Sequence, residues 1–100
     1  MMYSIVFKDD AKKDLQEFSH HQQMLIAKQL KKITISPELG KPLGNKNGYD
    51  LSGCRKMYAD KKQIRIIYKI VEEKIVIEII AVDKREEMQV YKKASQRLSK

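Results

Sequence analysis

The sequence predicts an α+β fold, in which an antiparallel sheet (an N-terminal strand plus a three-strand meander) is packed by two N-terminal helices and followed by a C-terminal helix. Two runs dense in isoleucine and valine, Ile64–Val71 and Ile75–Val82, are separated by only three polar residues, which is typical of paired antiparallel strands. Stripes of apolar residues at helical spacing precede this hairpin, and another follows it. With 100 residues, the chain is predicted to be a single domain over 1–100.

The N-terminal elements are a short strand and two helices. Met2–Phe7 alternates weakly, as a strand does, and Asp9 or Asp10 is expected to cap a helix over Asp10–Phe18. Ser19 and Gln22 have the spacing of a capping box for a second helix, Gln22–Ile35. That helix is expected to end near Pro37, because the residue before a proline avoids the helical conformation.

The middle of the chain is rich in glycine, proline and asparagine. Pro37–Gly53 is therefore predicted to be an irregular loop, long enough to suggest a function. A strand is predicted over Cys54–Ala59, and a turn over 60–63 joins it to the central hairpin. The C-terminal segment is predicted to be helical as far as Leu98, and this helix is expected to start after Arg85.

Alternation along the strands assigns the faces of the sheet. Ile64, Ile66, Tyr68 and Ile70 fall on one side of the first hairpin strand, and Ile75, Ile77, Ile79 and Ala81 share a side of the second. The opposite face carries charge. The turn length puts Tyr58 opposite Arg65 and Lys56 opposite Ile67, so that Lys56, Tyr58 and Arg65 share the charged face while Arg55 turns away from it.

Net charge is +8 at pH 7, with a pI near 9.6. That balance favours a polyanionic partner such as a nucleic acid or an acidic protein, although basic side chains also serve solubility. The lone Cys54 excludes an internal disulfide and fits a reducing compartment. No run approaches the ~20 apolar residues of a membrane span, so we expect a cytoplasmic protein with no membrane partner.

Neither a metal site nor a cofactor is predicted. His20 and His21 are adjacent, which points their rings apart, and Cys54 has no second cysteine at ligand spacing. The basic residues Lys56, Arg65 and Arg85, together with Tyr58 and Tyr91, combine the cations and aromatics needed to hold a phosphate beside an unstacked base. The alternative is a solvated strand face followed by an amphipathic helix.

From Leu51 onward, the segments LSGCRKMY, QIRIIYKI and EEKIVIEIIAVDKREEMQVY resemble the RelE/ParE superfamily of bacterial toxins, specifically the RelE-like mRNA interferases. The resemblance implies a single RelE-like toxin domain, an endoribonuclease that cuts mRNA in the ribosomal A site. In this family the 2′-hydroxyl of the RNA is the nucleophile and no metal is used. The implied partners are mRNA on the ribosome, with its 16S rRNA, and an acidic antitoxin.

Matching the family's motif residue by residue implies that Lys56, Arg65, Arg85 and Tyr91 are catalytic, with Tyr91 stacking on the message. Substrate-binding residues are expected nearby, at Tyr58, Lys61, Lys62 and Lys84. One departure is clear, because Tyr58 stands where well-known members have a second lysine. Two alternative functions are open. The first is ParE-like inhibition of DNA gyrase by binding. The second is binding of RNA or an antitoxin by an inactive protein of this fold.

The antitoxin is expected to act on the charged face in one of two ways. Its acidic segment either covers Lys56, Arg65 and Arg85 or displaces the C-terminal helix, Glu87–Leu98. The apolar stripe of that helix is thin, which predicts that a partner dislodges it at little cost.

Overall fold

The computed structural model, which describes residues 2–46, 48–84 and 89–98, contains five strands and three α-helices and confirms the α+β class. The strands are β1 (Ser4–Phe7), β2 (Lys41–Lys46), β3 (Tyr49–Ala59), β4 (Ile64–Val71) and β5 (Val76–Lys84). The helices are α1 (Asp9–Gln16), α2 (His20–Ile35) and α3 (Gln89–Leu98). None of these helices is long and apolar enough to cross a membrane.

One mixed sheet holds the strands in the order β1-β5-β4-β3-β2. β1 runs parallel to β5, and every other neighbouring pair is antiparallel. The sheet thus has one strand more than predicted and one parallel pair. A parallel pair needs a long crossover, and here the whole of the intervening chain, including α1 and α2, provides it.

The segment 37–53, predicted to be a loop, is instead a turn of 3-10 helix (Pro37–Leu39), the edge strand β2 and the first part of β3. The prediction was wrong because glycine and proline are tolerated at a sheet edge. Pro42 needs no ladder partner there, and Gly44, at φ +63°, stands where the β2–β3 register shifts. Gly48, at φ +81°, provides the turn of the hairpin.

The two N-terminal helices cover the first face of the sheet. Ser19 and Gln22 form the predicted capping box, with the Gln22 amide donating to Ser19 Oγ at 3.1 Å. At α1, however, Lys8 rather than an aspartate is the N-cap, and Asp9 and Asp10 lie in the first turn, where their charges still favour the helix dipole. The first core is formed mainly by Ala11, Phe18, Ile26, Leu30, Ile33, Ile64, Ile66, Tyr68, Ile77, Ile79 and Val82.

The second face is not simply charged, as the alternation predicted, because α3 covers part of it. A second core forms there from Leu51, Cys54, Ile67, Ile80, Ala81, Val90, Tyr91 and Ala94. Ala81 belongs to this core rather than to the first, because the β4–β5 register skips Ile80 and reverses the alternation beyond it. Ile75 lies outside both cores, exposed at φ +54° in the turn before β5.

Candidate active site

A row of polar side chains crosses three strands on the second face, beside α3. Tyr58 of β3 pairs with Arg65 of β4, which pairs in turn with Asp83 of β5. In the next row Lys56 pairs with Ile67 on one side and with Lys41 of β2 on the other. Paired residues share a face, so Lys56, Tyr58 and Arg65 converge as the alternation and turn length predicted.

Tyr58 is surrounded by positive charge. The Nζ atoms of Lys56 and Lys62 lie 5.3 and 6.0 Å from the centroid of its ring. A hydrogen bond from Lys56, together with the charges of Lys56 and Arg65 and a second hydrogen bond from Arg65, lowers the pKa of the Tyr58 phenol, against a smaller opposing effect of partial burial. The site therefore favours an anion at the position of the Tyr58 hydroxyl.

Arg65 lies between this cluster and the second core. Its Cζ is 5.1 Å from the centroid of the Tyr91 ring, and the Nζ of Lys46 lies 5.9 Å from the same ring. Two cations thus rest on one aromatic ring, an arrangement that restrains the planar guanidinium of Arg65. Lys46 was missed from the sequence because it lies in the segment predicted to be a loop.

Tyr91 itself is fully buried (0% exposed) and its hydroxyl has no hydrogen-bond partner among the described residues. It packs with Val90 and Ala94 in the second core, where an RNA base has no access to its ring. The stacking role implied by the family resemblance therefore requires the ring to become exposed, by movement of α3 or of the Lys46 and Arg65 side chains that approach it.

The other sequence-predicted cations are divided between the two faces. Lys61 and Lys62 are exposed in the turn between β3 and β4, where both have positive φ, so they flank the cluster. Lys84 pairs with Ile64, a residue of the first core, and lines a cleft with Gln22, Asp60 and Gln63 on the α2 side. Lys84 is thus not brought together with Lys56 and Arg65. Arg85 lies outside the described residues.

A network of charges connects α3 to the sheet beside this row. Asp83 is 2.7 Å from the Nζ of Lys93, and the buried Asp14 of α1 accepts hydrogen bonds from Arg97 at 2.7 and 3.1 Å. Arg97 also donates to the carbonyl of Ile80, while the amide of Val82 donates to Asp14. The described part of this helix has a buried apolar face (Val90, Tyr91 and Ala94) and ion-pair anchors, and its displacement by an antitoxin stays a prediction.

Comparison with known proteins agrees with this architecture. A family model described as the ParE toxin of the type II toxin–antitoxin system parDE matches residues 5–89. A putative RelE-like toxin protein from Escherichia coli is 33% identical over 98 residues, covering 98% of this chain and 99% of the relative. The mRNA interferase toxin RelE of Escherichia coli strain K12 is 28% identical, with the same coverage.

Solved structures give the same result. A free Escherichia coli RelE toxin, in which two arginines are replaced by alanine, superposes with a TM-score of 0.80 at 27% identity, covering 98% of this chain and 99% of that one. The same variant bound to a peptide of the antitoxin RelBc has a TM-score of 0.72 at 26% identity, with 94% and 95% coverage. This chain therefore belongs to the RelE/ParE superfamily of toxins from type II toxin–antitoxin systems.

Proposed function

We propose that the protein is a ribosome-dependent mRNA endonuclease that cleaves in the A site and is held inactive by an acidic antitoxin. The observation that carries the proposal is the convergence of Lys56, Tyr58 and Arg65 on one open sheet face. Similarity to the mRNA interferase RelE along almost the whole chain supports the same activity. A net charge of +8 suits a partner as anionic as ribosome-bound RNA.

The chemistry needs no group beyond the RNA and these side chains. In-line attack by the 2′-hydroxyl on the adjacent phosphorus accumulates negative charge on the phosphoryl oxygens. Arg65 and, through the family resemblance, Arg85 would stabilise that charge, since a guanidinium donates two parallel hydrogen bonds to phosphate oxygens. Lys56 would exchange a proton with one of the reacting oxygens. Metal-independent cleavage is part of this proposal.

Substrate binding would involve the turn and α3. Lys61 and Lys62 project beside the cluster, where they would contact phosphates flanking the scissile one. Tyr91 would stack on a base of the message only after its ring becomes exposed, by movement of α3 or of the Lys46 and Arg65 side chains, so binding on the ribosome would be coupled to that movement. Stacking of this kind contributes about 1–3 kcal/mol per base.

The direct test uses programmed ribosomes and the purified protein. Primer extension on the mRNA is expected to reveal a new 5′ end in the A-site codon that depends on the ribosome. Lys56→Ala is expected to reduce the single-turnover rate about 10²-fold. The matched control is Lys28→Ala, since Lys28 is an exposed lysine of α2 on the other face of the sheet. Intact message at saturating wild-type protein would refute the proposal.

Inhibition of DNA gyrase is the second candidate, and it rests on the family model, whose description is of a ParE toxin. A gyrase inhibitor of this class would block supercoiling without any cleavage of mRNA. Assaying both reactions with one preparation distinguishes the two functions. A protein that catalyses neither reaction but binds RNA or an antitoxin would be an inactive protein of this fold. The tyrosine at position 58, where well-known members have a lysine, is the feature that favours this alternative.

A further inference from the structure

Tyr58 is surrounded by the cations of the cluster. It is half-buried on β3, its pair across the sheet is Arg65, and Lys56 and Lys62 approach its ring. The Lys56 ammonium and the Arg65 guanidinium both lower the pKa of its phenol. An ammonium group can donate a proton, whereas the phenol oxygen of Tyr58 can accept one when it is ionised.

The charged groups that face this hydroxyl come from every neighbouring element. Lys56 lies on its own strand, Lys62 in the following turn and Arg65 on β4. From β2, Lys41 lines the same cleft as Lys56 and Tyr58. The nearest acidic residue in the row is Asp83 of β5, which is bound by Lys93 at 2.7 Å. Positive charge therefore dominates around Tyr58.

We propose that the Tyr58 phenolate is the base that removes the 2′-proton in the endonuclease reaction, a role that rests on the proposed function and deepens it. As the phenolate takes the proton, the 2′-oxygen bonds to phosphorus. The bond from phosphorus to the 5′-oxygen breaks, and the 5′-oxygen takes a proton from the Lys56 ammonium. The products are a 2′,3′-cyclic phosphate and a 5′-hydroxyl. The protonated Tyr58 then returns its proton to Lys56, whose Nζ lies 5.3 Å from the centroid of the tyrosine ring.

The ground state of the site fits this cycle. Hydrogen bonding from Lys56, and secondarily the charges of Lys56 and Arg65, lower the pKa of Tyr58, so a larger fraction of the phenol is ionised near neutral pH than in water. A base whose pKa approaches the working pH is the more effective catalyst. The same cations would lower the energy of the phosphoryl transition state, so one cluster serves both steps.

The kinetic test is a pH series of single-turnover cleavage on programmed ribosomes at saturating protein. Tyr58→Phe is expected to lose about 10²-fold or more and to remove the rise of rate with pH. Tyr58→His is expected to restore much of the rate and to bring the midpoint of the profile to ~6.5, the ordinary histidine value. Tyr3→Phe, which removes a phenol packed against the first core, is the matched control and is expected to behave as wild type.

A second measurement needs no ribosome. The sequence has five tyrosines, and the ultraviolet absorbance of the wild type minus that of Tyr58→Phe isolates the ionisation of Tyr58. We expect its midpoint below the ordinary value of 10.0. The absorbance titration of Tyr3→Phe is expected to retain the ionisation of Tyr58.

The outcomes separate the two proposals. No cleavage by the wild type would refute the proposed function, and with it the catalytic role. Wild-type cleavage that Tyr58→Phe reproduces within about threefold, with the same pH dependence, would overturn the role of Tyr58 alone. A Tyr58 midpoint at or above 10.0 would also overturn it.

Discussion

Gly40 lies between Tyr68 of the first core and the backbone of β3, the strand that carries Lys56. The hydroxyl of Tyr68 accepts from the Gly40 amide at 2.8 Å and donates to the carbonyl of Pro37 at 2.6 Å. The guanidinium of Arg55 donates to the Gly40 carbonyl at 2.7 Å. A Cβ at position 40 would lie 2.5 Å from Tyr68 Oη and 2.7 Å from the backbone oxygen of Lys56. No side chain fits there without moving β3.

Gly40→Ala is therefore expected to destabilise the fold by about 1–3 kcal/mol, as overpacking of a closed core does. Urea unfolding measures the change, and Ser36→Ala serves as the control because the Ser36 side chain makes no capping hydrogen bond. Equal stability of the two variants would contradict the close approach of Gly40 to β3.

Cys54 gives a prediction at alkaline pH. Burial raises the pKa of its thiol above the ordinary value of 9.0, so between 9.0 and the folded value only the unfolded chain loses the proton. The unfolded state then binds fewer protons, and the free energy of unfolding falls as pH rises above 9.0, by at most about 1.4 kcal/mol per pH unit. In denaturant titrations from pH 8 to 10, the free energy of unfolding is expected to fall less steeply with pH for Cys54→Ala than for the wild type. The variant is also expected to be less stable at every pH, because the substitution leaves a cavity. Parallel curves would be the contrary result.

Arg85 follows the last strand, where the resemblance assigns an arginine to the phosphate. Arg85→Ala is expected to slow single-turnover cleavage roughly 10²–10³-fold, the cost of removing one transition-state donor. Ribosome binding is expected to change little, since many other cations contribute to it. The control is Lys92→Ala, which removes an exposed cation of α3. Cleavage within about twofold of the wild type would remove Arg85 from the mechanism.

At the scale of elements, α3 depends on the ion pair between Asp14 and Arg97. Removing one partner of a buried pair leaves a desolvated charge, so Arg97→Ala is expected to cost about 3–5 kcal/mol. Lys12→Ala, which breaks the exposed Asp9–Lys12 pair, is expected to cost less than about 1 kcal/mol. Thermal or urea unfolding of both variants compares the two costs, and similar small losses would show that Asp14 does not need Arg97.

The register of β3 and β4 could be predicted because a short turn and strict alternation leave one pairing that buries the apolar residues. The Tyr58–Arg65 pair and the shared face of Lys56 follow from it. The bulge at Ile80 could not be predicted, because the run Ile79–Val82 is apolar at every position and gives no alternation to read. The second core depends on that bulge, and so does the burial of Tyr91. The ion pairs of Lys93 and Arg97 could not be predicted either, because the sequence shows only that these residues are positively charged.

In the whole molecule, the two hydrophobic cores lie on opposite faces of the sheet and have different roles. The first core, beneath α1 and α2, is built mainly from isoleucines together with Phe18 and Tyr68, and it holds the strands in register. The second is smaller and lies beside the cation row, with Tyr91 in contact with Arg65. A change in the docking of α3 therefore alters the surroundings of Arg65.

An acidic antitoxin is expected to protect the amides of β3 and β4 around Lys56–Arg65 from hydrogen exchange, because the cations there are its electrostatic target. Exchange over 89–98 distinguishes the two modes of inhibition. Faster exchange in the complex means that α3 is displaced, and slower exchange means that it is covered in place. An antitoxin complex with unchanged exchange in both regions would place the inhibitory contact elsewhere.

The buried carboxylate of Asp14 also has a consequence for the order in which the chain matures. Its partner Arg97 lies 83 residues further along, beyond all five strands. During synthesis the residues of the five strands and the first two helices are therefore made before the cation that compensates Asp14, and the carboxylate must stay solvated or protonated until α3 docks. We expect a nascent chain that ends before α3 to remain open around α1, so that the toxin completes its second face only after the rest of the chain has been made.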